Sequence, residues 1–339
     1  MTELPTATDV AIVGGGFAGV ATAWALARRG VAAVVLEREP SLGRFASGRS
    51  AGLGRQLAEE DATSALTIRG AALLRGELAA AWLPCGGILS FDAPAAAEDY
   101  AARAARLGVA VERLDRAGVA AYWPGADELP IARALYVPSD GVIDIAVLLA
   151  TLARGVTVVC EAGVQRVEPV ARGVRVATAR GVVEARLVVD AAGAWAGEVT
   201  GDPPLTSFKR HVYVLAAAAS AAAPYLWHIG ADELYVRAHE GGLLVSPCDA
   251  SQTTAADQQP DPGGEAMLQA RLAASSWRSV RVVWSWACQR AFTADRTMRL
   301  GRDPTRPWLV WAAGLGGHGA TAAPAIGEVV ADACVAALA

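Results

Sequence analysis

An α/β fold with a β-rich insertion is the architecture that this sequence of 339 residues predicts. Near each end of the chain, at residues 9–37 and 308–339, an apolar strand runs into a glycine cluster and then into a helix. Between these two units, residues 206–294 contain a run of short strands and one helix. Strand–glycine–helix units are typical of α/β domains, and a block of strands inserted between them suggests a sheet that covers a ligand cleft.

The first unit is a complete β-α-β element with a glycine motif. Gly14, Gly16 and Gly19 occupy the three glycine positions of G-x-G-x-x-G. In this motif the first glycine permits a tight turn, the second lets a pyrophosphate approach the backbone, and the third lets helix and strand pack closely. The helix that follows points its free N–H groups and the positive end of its dipole at the phosphates. The segment therefore predicts a dinucleotide-binding site.

Glu37 ends the second strand, 23 positions after Gly14. A carboxylate at this place can accept hydrogen bonds from ribose hydroxyls and repels a 2′-phosphate, so FAD or NAD is favoured over NADP. Residues 38–55 then form a glycine- and serine-rich stretch without hydrophobic periodicity. Long irregular stretches in compact domains are usually functional, and small residues would let this backbone lie against a flat ligand.

The middle of the chain alternates helical segments with short strands. The expected helices are residues 61–82, 94–107, 114–123 and 143–153, and Asp144 is a candidate N-cap of the last one. The expected strands are residues 86–91 and 134–137 and a meander within residues 156–185. Residues 186–190 form an apolar strand that meets small residues. We expect a helix to follow it and to give the backbone a second approach to a cofactor.

The β-rich block and the last unit complete the chain. Strands are expected at residues 210–216, 233–236, 242–246 and 280–292, and a helix at residues 265–274. Residues 308–313 form another apolar strand, and the glycine-rich run 314–321 leads into a final helix. This last unit again points helix N–H groups at a cleft.

Composition argues against several classes of function. The net charge is −4 and the basic clusters are scattered, which gives no support to nucleic-acid binding. Five cysteines and four histidines show neither a disulfide framework nor metal-ligand spacing, so no metal site is expected. Residues 1–8 lack the layout of a secretion signal, and the apolar stretches are interrupted before they reach the roughly 18 residues of a membrane span. We therefore expect a cytoplasmic protein with no membrane span.

Taken in order, these pieces resemble the FAD-dependent amine and D-amino-acid oxidoreductases of the glycine oxidase, sarcosine oxidase and D-arginine dehydrogenase type. The resemblance runs nearly end to end, and it is carried by residues 14–19, 36–39, 47–51, 188–195, 209–210, 234–237, 242–247, 289–295 and 314–319. It implies an FAD-binding Rossmann-like domain of the glutathione reductase type, intertwined with a β-rich substrate domain. The corresponding division gives residues 1–82, 140–205 and 296–339 to the FAD-binding domain and residues 83–139 and 206–295 to the substrate domain.

The resemblance also implies which residues bind FAD. The early glycines would hold the pyrophosphate, Glu37 the adenosine ribose, and Gly317 to Thr321 would place N–H groups at the flavin C2 carbonyl. The full set is Gly14, Gly16, Phe17, Ala18, Gly19, Glu37, Arg38, Ser47, Gly48, Arg49, Ser50, Ala51, Val164, Ala192, Gly193, Trp195, Gly317, His318, Gly319, Ala320 and Thr321. We expect the FAD to be held non-covalently. A link through Cys288 is the alternative, because this residue precedes Asp295, which matches the end of the sarcosine oxidase segment that carries a flavin-linked cysteine.

For the substrate, a carboxylate needs a cation, and Arg290 is the best candidate because guanidinium geometry matches two oxygens. Tyr235 and Arg210 are further catalytic candidates, and His318 is expected beside the flavin. A structural salt bridge or ordinary packing is the alternative reading of these side chains.

Departures from the family pattern reduce the range of substrates that we expect. Leu53 and Ala58 stand where D-arginine dehydrogenases carry a histidine and a tyrosine, and Gly86 stands where they carry a glutamate that selects cationic side chains. A smaller or more apolar substrate is therefore favoured over a guanidinium compound. Arg237 and Thr321 stand at lysine positions that sarcosine oxidases use in oxygen chemistry, so dioxygen and another electron acceptor both stay open.

The favoured activity is oxidation of the C–N bond of an amino acid or small amine by hydride transfer to flavin N5. Oxidation of a 2-hydroxy acid is an alternative that needs a base near the hydroxyl. A flavin monooxygenase is disfavoured, because the Gly-Asp pair of that class is replaced here by the glycine run 314–319. A flavoprotein that keeps FAD as a structural ligand without turnover is the non-enzymatic alternative.

Overall fold

The computed structural model describes residues 2–126, 128–202 and 205–339. Its α-helices within these ranges are α1 (Phe17–Ala27), α2 (Asp61–Arg75), α3 (Pro94–Leu107), α4 (Arg116–Tyr122), α5 (Ile145–Leu152), α6 (Pro262–Leu272) and α7 (Gly319–Leu338). Its strands are β1 (Ala7–Val13), β2 (Ala33–Leu36), β3 (Leu53–Gly54), β4 (Trp82–Leu83), β5 (Gly87–Phe91), β6 (Glu112–Leu114), β7 (Arg133–Val137), β8 (Gly141–Ile143), β9 (Thr157–Val159), β10 (Val164–Val170), β11 (Gly173–Thr178), β12 (Gly181–Asp190), β13 (Thr206–Leu215), β14 (Tyr225–Ile229), β15 (Leu234–His239), β16 (Gly242–Ser246), β17 (Ser251–Thr253), β18 (Val282–Phe292), β19 (Arg299–Arg302) and β20 (Leu309–Ala313).

One sheet of eight strands is built from both ends of the chain. Its order is β10-β11-β12-β1-β2-β9, and β20 pairs with β12 while β19 pairs with β20. Strands β9, β2, β1, β12 and β20 run parallel to one another. Both faces of β1 are covered, because Val10 and Ile12 pack with residues of α1 and α7 while Ala11 packs with residues of β11 on the opposite side. Burial of both faces explains the continuous apolar sequence of these strands.

A second sheet of nine strands carries the predicted substrate residues. Its order is β17-β13-β16-β15-β14-β5-β7-β6, and β18 pairs with β13 along ten positions. One face packs against α4 and α6 in a cluster that includes Val119, Leu226 and Leu268. Side chains of the opposite face line the central cavity described below. Strands β3, β8 and β4 form a small third sheet.

Helix α7 is wedged between α1 and α2 through two glycines. A Cβ on Gly70 would lie 2.0 Å from the carbonyl oxygen of Thr321, and a Cβ on Gly327 would lie 2.3 Å from that of Ala21. Only glycine permits these contacts. Among the described helices, α7 is the one long and apolar enough to cross a membrane, which departs from our expectation that no apolar stretch reaches that length. More than half of its apolar segment is buried inside the protein.

Several predicted elements differ from the structure. The helix expected after residues 186–190 is only a 3₁₀ turn, Gly193–Trp195. Gly193 and Gly197 have φ of +61° and +97°, and the Asp190 carboxylate accepts hydrogen bonds from the amides of Ala192 and Gly197, which holds the chain in a tight turn instead. The helix expected at 61–82 ends at Arg75, before Gly76. The helix expected at 265–274 is α6, and strand β14 is an element that the sequence pattern did not reveal.

Candidate functional site

The glycine corners from the two ends of the chain meet at one cavity of about 560 Å³. Gly16, which precedes α1, and Gly317, which precedes α7, both line it. The cavity also reaches the open face of the nine-stranded sheet, where Arg210, Tyr235 and Arg290 lie. One elongated ligand can therefore contact both glycine corners and the sheet.

The corner between β1 and α1 has the backbone geometry that its glycines predict. Gly14 has φ of +101°, and a Cβ there would lie 2.6 Å from the carbonyl oxygen of Ala191. Gly19 does not line the cavity; a Cβ there would lie 2.0 Å from the Gly14 oxygen, so this glycine serves helix–strand packing. The Phe17 amide donates to Ser47 Oγ over 2.9 Å. The first-turn amides of α1, including that of Ala18, have no acceptor within the helix.

Glu37 is buried at the edge of the cavity, at the end of β2. One of its oxygens accepts from the Gly15 amide over 2.6 Å, and the other accepts from the Glu39 amide over 2.8 Å. These bonds fix the carboxylate beside the glycine corner, and each oxygen retains capacity for a further donor.

An aromatic and cationic cluster closes the same end of the cavity. The Arg38 guanidinium carbon lies 4.3 Å from the ring centre of Trp195 and 5.2 Å from that of Phe45. Val164 and the small residues Ala192 and Gly193 also line this end. The Phe45 and Trp195 ring centres lie 4.6 Å apart, so these two rings and the Arg38 side chain pack against one another and form one continuous surface at this end of the cavity.

The loop that follows β2 contributes fewer contacts than predicted. Ser47, Ser50 and Ala51 line the cavity, but Gly48 and Arg49 do not. A Cβ on Gly48 would lie 2.3 Å from the Gly43 oxygen, so this glycine is required by the loop itself. Arg49 points away, because its Nη1 donates to the carbonyl oxygens of Gln258 and Ala287 and so fastens the loop to the nine-stranded sheet.

The N-terminus of α7 forms the opposite wall. Gly317, His318, Gly319, Ala320 and Thr321 all line the cavity. Gly317 has φ of +98°, and the first-turn amides of the helix have no acceptor within it. The positive end of this 20-residue helix therefore faces the cavity and favours negative charge there.

Arg210 and Arg290 lie on neighbouring strands of the sheet and share one acceptor. Arg210 pairs with Cys288 across β13 and β18, so Arg290 is its diagonal neighbour on the same face. Arg210 Nε donates to the Asp249 carbonyl oxygen over 3.0 Å, and Arg290 Nη2 donates to the same atom over 3.3 Å. Neither arginine forms a salt bridge to a described carboxylate, and Arg290 Nε is buried without a partner among the described residues. Burial and the neighbouring Arg210 lower the pKa of Arg290 to about 10.

Tyr235 is buried beside this pair. Its ring centre lies 5.3 Å from that of Trp227, and burial raises the pKa of the phenol well above its usual range. The hydroxyl is therefore protonated at neutral pH and available as a hydrogen-bond donor.

The sequence prediction missed a group of charged and aromatic cavity residues, here called the charged wall: Arg55, Glu59, Trp227 and Glu233. Arg55 Nη2 donates to Glu59 over 2.9 Å and its guanidinium carbon lies 4.0 Å from the Trp227 ring centre. Trp227 Nε1 donates to Glu233 over 2.8 Å. Arg55 and Glu59 lie between β3 and α2, outside any helix, so their spacing of four residues does not predict a contact and no local pattern reveals the charged wall.

His318 faces this charged wall. Burial lowers the pKa of its imidazole, and the Glu59 carboxylate opposes that effect in part. Glu59 itself has a pKa below its usual range, because Arg55 and His318 outweigh the effect of burial. His318 is therefore neutral at neutral pH, and among the described residues it is the one histidine that lines the cavity.

Comparison with known proteins decides which cofactor the cavity serves. The family model described as "DAO: FAD dependent oxidoreductase" matches residues 9–333. The chain belongs to this family of FAD-dependent oxidoreductases.

Individual relatives agree with this assignment. Glycine oxidase from Bacillus licheniformis is 27% identical over 359 residues, which cover 96% of this chain and 92% of the relative. The crystal structure of glycine oxidase from Geobacillus kaustophilus superposes with a TM-score of 0.84 at 25% identity and covers 98% of this chain and 95% of that one. L-proline dehydrogenase from P. horikoshii shares the fold, with a TM-score of 0.89 at 20% identity and coverage of 97% and 93%.

The lining of the cavity has features that binding of FAD requires. The amides of Gly15 and Phe17 donate to Glu37 and Ser47, which leaves the amides of Gly16 and Ala18 for a phosphate at the start of α1. The Glu37 carboxylate is held beside the glycine corner, and the N-terminus of α7 faces the cavity, where it favours negative charge. Among the described residues, no group of three or more potential ligands could hold a metal ion.

Cys288 lines the cavity, with its sulfur 3.5 Å from the Ala46 carbonyl oxygen. Burial raises the pKa of this thiol to about 11. The structure therefore places the candidate for covalent attachment beside the cofactor cavity but in its unreactive, protonated form.

Proposed function

We propose that this FAD-dependent oxidoreductase oxidises the C–N bond of a small α-amino acid to an imine, which water then hydrolyses. The observation that carries this proposal is a pair of guanidinium groups, on the buried Arg210 and the half-buried Arg290, that face the cavity without a carboxylate partner among the described residues. Buried cations without a counter-charge are costly, and a bound carboxylate offsets that cost. Bound FAD supplies the two-electron acceptor, whose N5 takes the hydride from the substrate carbon.

Arg290 is the proposed bidentate clamp for the substrate carboxylate. Its side chain passes directly over the glycine turn that precedes α7, because a Cβ on Gly317 would lie 2.7 Å from Arg290 Cδ. A carboxylate bound by Arg290 would lie next to the N-terminus of α7, which would face the flavin, and the substrate α-carbon would be one bond away from that carboxylate. Arg210 and the Tyr235 hydroxyl supply further donors at the same end of the cavity. Holding the α-carbon in a fixed place is the main contribution that the protein makes to hydride transfer.

Glu233 favours an amino group over a hydroxyl group on the α-carbon of the substrate. Its carboxylate lines the cavity, accepts from Trp227 Nε1, and forms no salt bridge with a described cation. It lies close enough to Arg210 and Arg290 to act on the pKa of both guanidinium groups. A cavity with cations on one side and a free carboxylate on the other is complementary to a zwitterionic amino acid, whose amino group donates hydrogen bonds that a carboxylate accepts.

The remaining wall limits the size of the substrate. Arg55 is stacked on Trp227 and its Nη2 is paired with Glu59, while its Nη1 is buried without a partner among the described residues, so this wall presents a cation that repels a second positive charge. Trp227 and Tyr235 present aromatic surface to the space that is left. We therefore expect a short or apolar side chain rather than a long cationic one.

Oxidation of a 2-hydroxy acid is the weaker candidate. It needs a base that removes the hydroxyl proton, and His318, neutral at neutral pH, is the one imidazole at the cavity among the described residues. Glu233 disfavours this substrate because a 2-hydroxy acid lacks the positive charge of an ammonium group.

The decisive experiment is anaerobic bleaching of the flavin band, at about 450 nm for an oxidised flavin, with D- and L-amino acids, N-methyl amino acids and 2-hydroxy acids. We expect a small amino acid to bleach the wild type and Arg290→Lys to lower the rate constant divided by the dissociation constant by about 100-fold, since a bidentate charged contact contributes about 1.5–3 kcal/mol. Arg281→Lys, at an exposed position just before β18, is the matched control. Bleaching by hydroxy acids alone would establish the weaker candidate, and no bleaching by any compound would leave a flavoprotein without turnover.

Arg237 and Thr321, which stand at the lysine positions of sarcosine oxidases, bear on the choice of electron acceptor. Arg237 Nε donates to the Ala51 oxygen and Thr321 Oγ1 donates to the Leu53 oxygen, so both residues at the lysine positions are engaged with the backbone of the cofactor loop. We propose slow reaction with dioxygen and faster reaction with another acceptor, which stopped-flow reoxidation with dioxygen and with a quinone would compare. A cytoplasmic location stays a prediction.

The proposed domain division is residues 1–82, 140–205 and 296–339 for FAD and residues 83–139 and 206–295 for the substrate. It is supported by the nine-stranded sheet, all of whose strands fall within the second set. Limited proteolysis with and without FAD would test it, since cleavage sites at the boundaries should become protected together.

A further inference from the structure

Arg210 and Arg290 share a single backbone hydrogen-bond acceptor, which orients both guanidinium groups. The Asp249 carbonyl accepts from Arg210 Nε over 3.0 Å and from Arg290 Nη2 over 3.3 Å. A guanidinium group has several donors in one plane, so fixing one donor sets the direction of the others. The position of the Asp249 carbonyl therefore determines how both arginines present their remaining donors to the cavity.

The Asp249 side chain holds that carbonyl in place from the far side of the sheet. One carboxylate oxygen accepts from the His211 amide over 2.7 Å, and the other lies 2.8 Å from His211 Nδ1. Both side chains are about 1% exposed. The preceding residue, Cys248, has φ of +54°, which is an unfavourable conformation for a side-chain-bearing residue. The hydrogen bonds of Asp249 maintain this turn.

The contact made by Nε2 shows which ring nitrogen of His211 carries the proton. His211 Nε2 lies 3.0 Å from the Asp261 amide, which can only donate, so Nε2 accepts and the ring proton is on Nδ1. Nδ1–H then donates to Asp249. A Cβ on Gly264 would lie 2.4 Å from the His211 ring, so α6 packs directly against the imidazole and fixes its orientation.

We infer that His211 and Asp249 are positioning residues, which hold the Asp249 carbonyl so that Arg210 and Arg290 jointly bind the carboxylate of the substrate. The inference rests on the proposed function, because the arginines are useful in this orientation only if a carboxylate binds between them. His211 is 1% exposed and does not line the cavity, so it acts through Asp249 and the arginines and not on the substrate itself.

The test compares binding of acetate with binding of acetamide to the FAD-loaded protein by calorimetry. Acetate carries the carboxylate and acetamide has nearly the same shape without the charge. Wild type should prefer acetate. Asp249→Ala and His211→Phe should each lose about tenfold of that preference, which is the order of one hydrogen bond to a charged group. His211→Asn should retain most of it, because the asparagine amide can donate to Asp249 from about the position of Nδ1.

His228→Phe is the matched control. His228 is also a fully buried histidine of the same sheet, but its contact is Ser90 Oγ, 3.0 Å from Nδ1, and neither cavity arginine. The control should leave the acetate preference unchanged. If Asp249→Ala does not give soluble FAD-loaded protein, Asp249→Asn replaces it in the test. Asparagine has the same shape as aspartate, but its amide N–H group faces an N–H group of His211, so one of the two hydrogen bonds is lost.

The outcomes separate this inference from the proposed function. If no amino acid is oxidised but acetate is preferred and the preference falls in His211→Phe, the positioning role stands and the proposed reaction fails. If His211→Phe binds acetate as wild type does while its FAD content and melting temperature are unchanged, the positioning role is overturned. A wild type that does not distinguish acetate from acetamide overturns it as well.

Discussion

The Glu59 carboxylate lies 3.4 Å from Nε2 of His318 and so connects the segment just before α2 to the N-cap residue of α7. Burial lowers the pKa of His318, and Glu59 is the main group that raises it again. The proton affinity of the imidazole beside the cofactor is thus set by a balance of burial and one partly exposed carboxylate.

Glu59→Gln should lower the pKa of His318 further. We expect the rate of flavin reduction to fall at acid pH, because His318 then gains a proton near Arg55 and Arg290. In Glu59→Gln this fall in the pH profile, its acid limb, should occur at lower pH than in wild type. Rapid-mixing measurements of anaerobic reduction between about pH 5 and 9 would show the shift. Glu60→Gln, which alters the adjacent glutamate, should keep the wild-type profile. A limb that moves to higher pH in Glu59→Gln would contradict the assignment.

The buried Asp140 should make the protein less stable as the pH rises, whereas a salt-bridged carboxylate makes a protein more stable as the pH rises. Burial raises the pKa of Asp140 to about 6, although Tyr225 and Gln56 donate hydrogen bonds to it. The folded protein therefore holds this proton more tightly than the unfolded chain. Its contribution to stability is complete below the ordinary pKa of 3.8 and is lost as the pH rises through about 6.

Asp140→Asn removes this titration while the amide can still accept from Gln56 and donate to Tyr225. Relative to wild type, its free energy of unfolding should improve by about 2.5 kcal/mol between pH 4 and pH 7.5, which is most of the effect of a shift of about two pKa units. Urea unfolding at the two pH values measures the difference. Asp144→Asn, at the N-cap of α5, should show no comparable pH dependence because asparagine caps helices as well as aspartate does. Equal effects of Asp140→Asn at both pH values would argue against a raised pKa.

Gly70→Ala should disturb the cofactor cavity from outside. The added Cβ would lie 2.0 Å from the Thr321 oxygen in the first turn of α7, so the helix must move. Overpacking of this kind costs about 1–3 kcal/mol, and we expect both a lower free energy of unfolding and weaker retention of FAD on gel filtration. Gly76→Ala, whose Cβ would have its nearest neighbour at 3.4 Å, should retain FAD like wild type. Full FAD retention by Gly70→Ala would show that the contact is not critical.

The flavin should come free when the protein is denatured with acid. Cys288 is the candidate for a covalent link, but burial raises the pKa of its thiol to about 11, and the thiolate is the reactive form. We expect yellow supernatant and colourless precipitate after acid treatment, and the same FAD content in Cys288→Ser as in wild type. A yellow precipitate that loses its colour in Cys288→Ser would instead demonstrate covalent attachment.

The cofactor corners could be predicted from sequence because their requirements are local. Gly14, Gly16 and Glu37 lie within one β-α-β unit, and the steric demands of a tight turn leave glycine as the residue that fits. The same reasoning was wrong for the turn Gly193–Trp195, where an apolar strand and small residues suggested a helix. There the Asp190 carboxylate stabilises a tight turn by accepting backbone hydrogen bonds, and this side-chain effect is invisible in hydrophobic periodicity.

The charged wall of the cavity could not be predicted because its members meet only through long-range pairing. Trp227 is positioned by the parallel pairing of β14 with β5, which connects segments more than a hundred residues apart. Arg55 reaches it from the cofactor loop. Likewise, the contact between His211 and Asp249 depends on the left-handed turn at Cys248, a conformation for which the sequence gives no signal.

Gly16 and Gly317 bound the same cavity from nearly opposite ends of the chain. A nascent polypeptide therefore lacks one wall of its flavin site until β20 and α7 have emerged from the ribosome, and the parallel sheet cannot gain β20 before then. We expect FAD to be captured only after both glycine corners have been translated. In a cell short of riboflavin, newly made chains would accumulate with that last helix incompletely secured, which would expose its apolar surface to proteases and to aggregation.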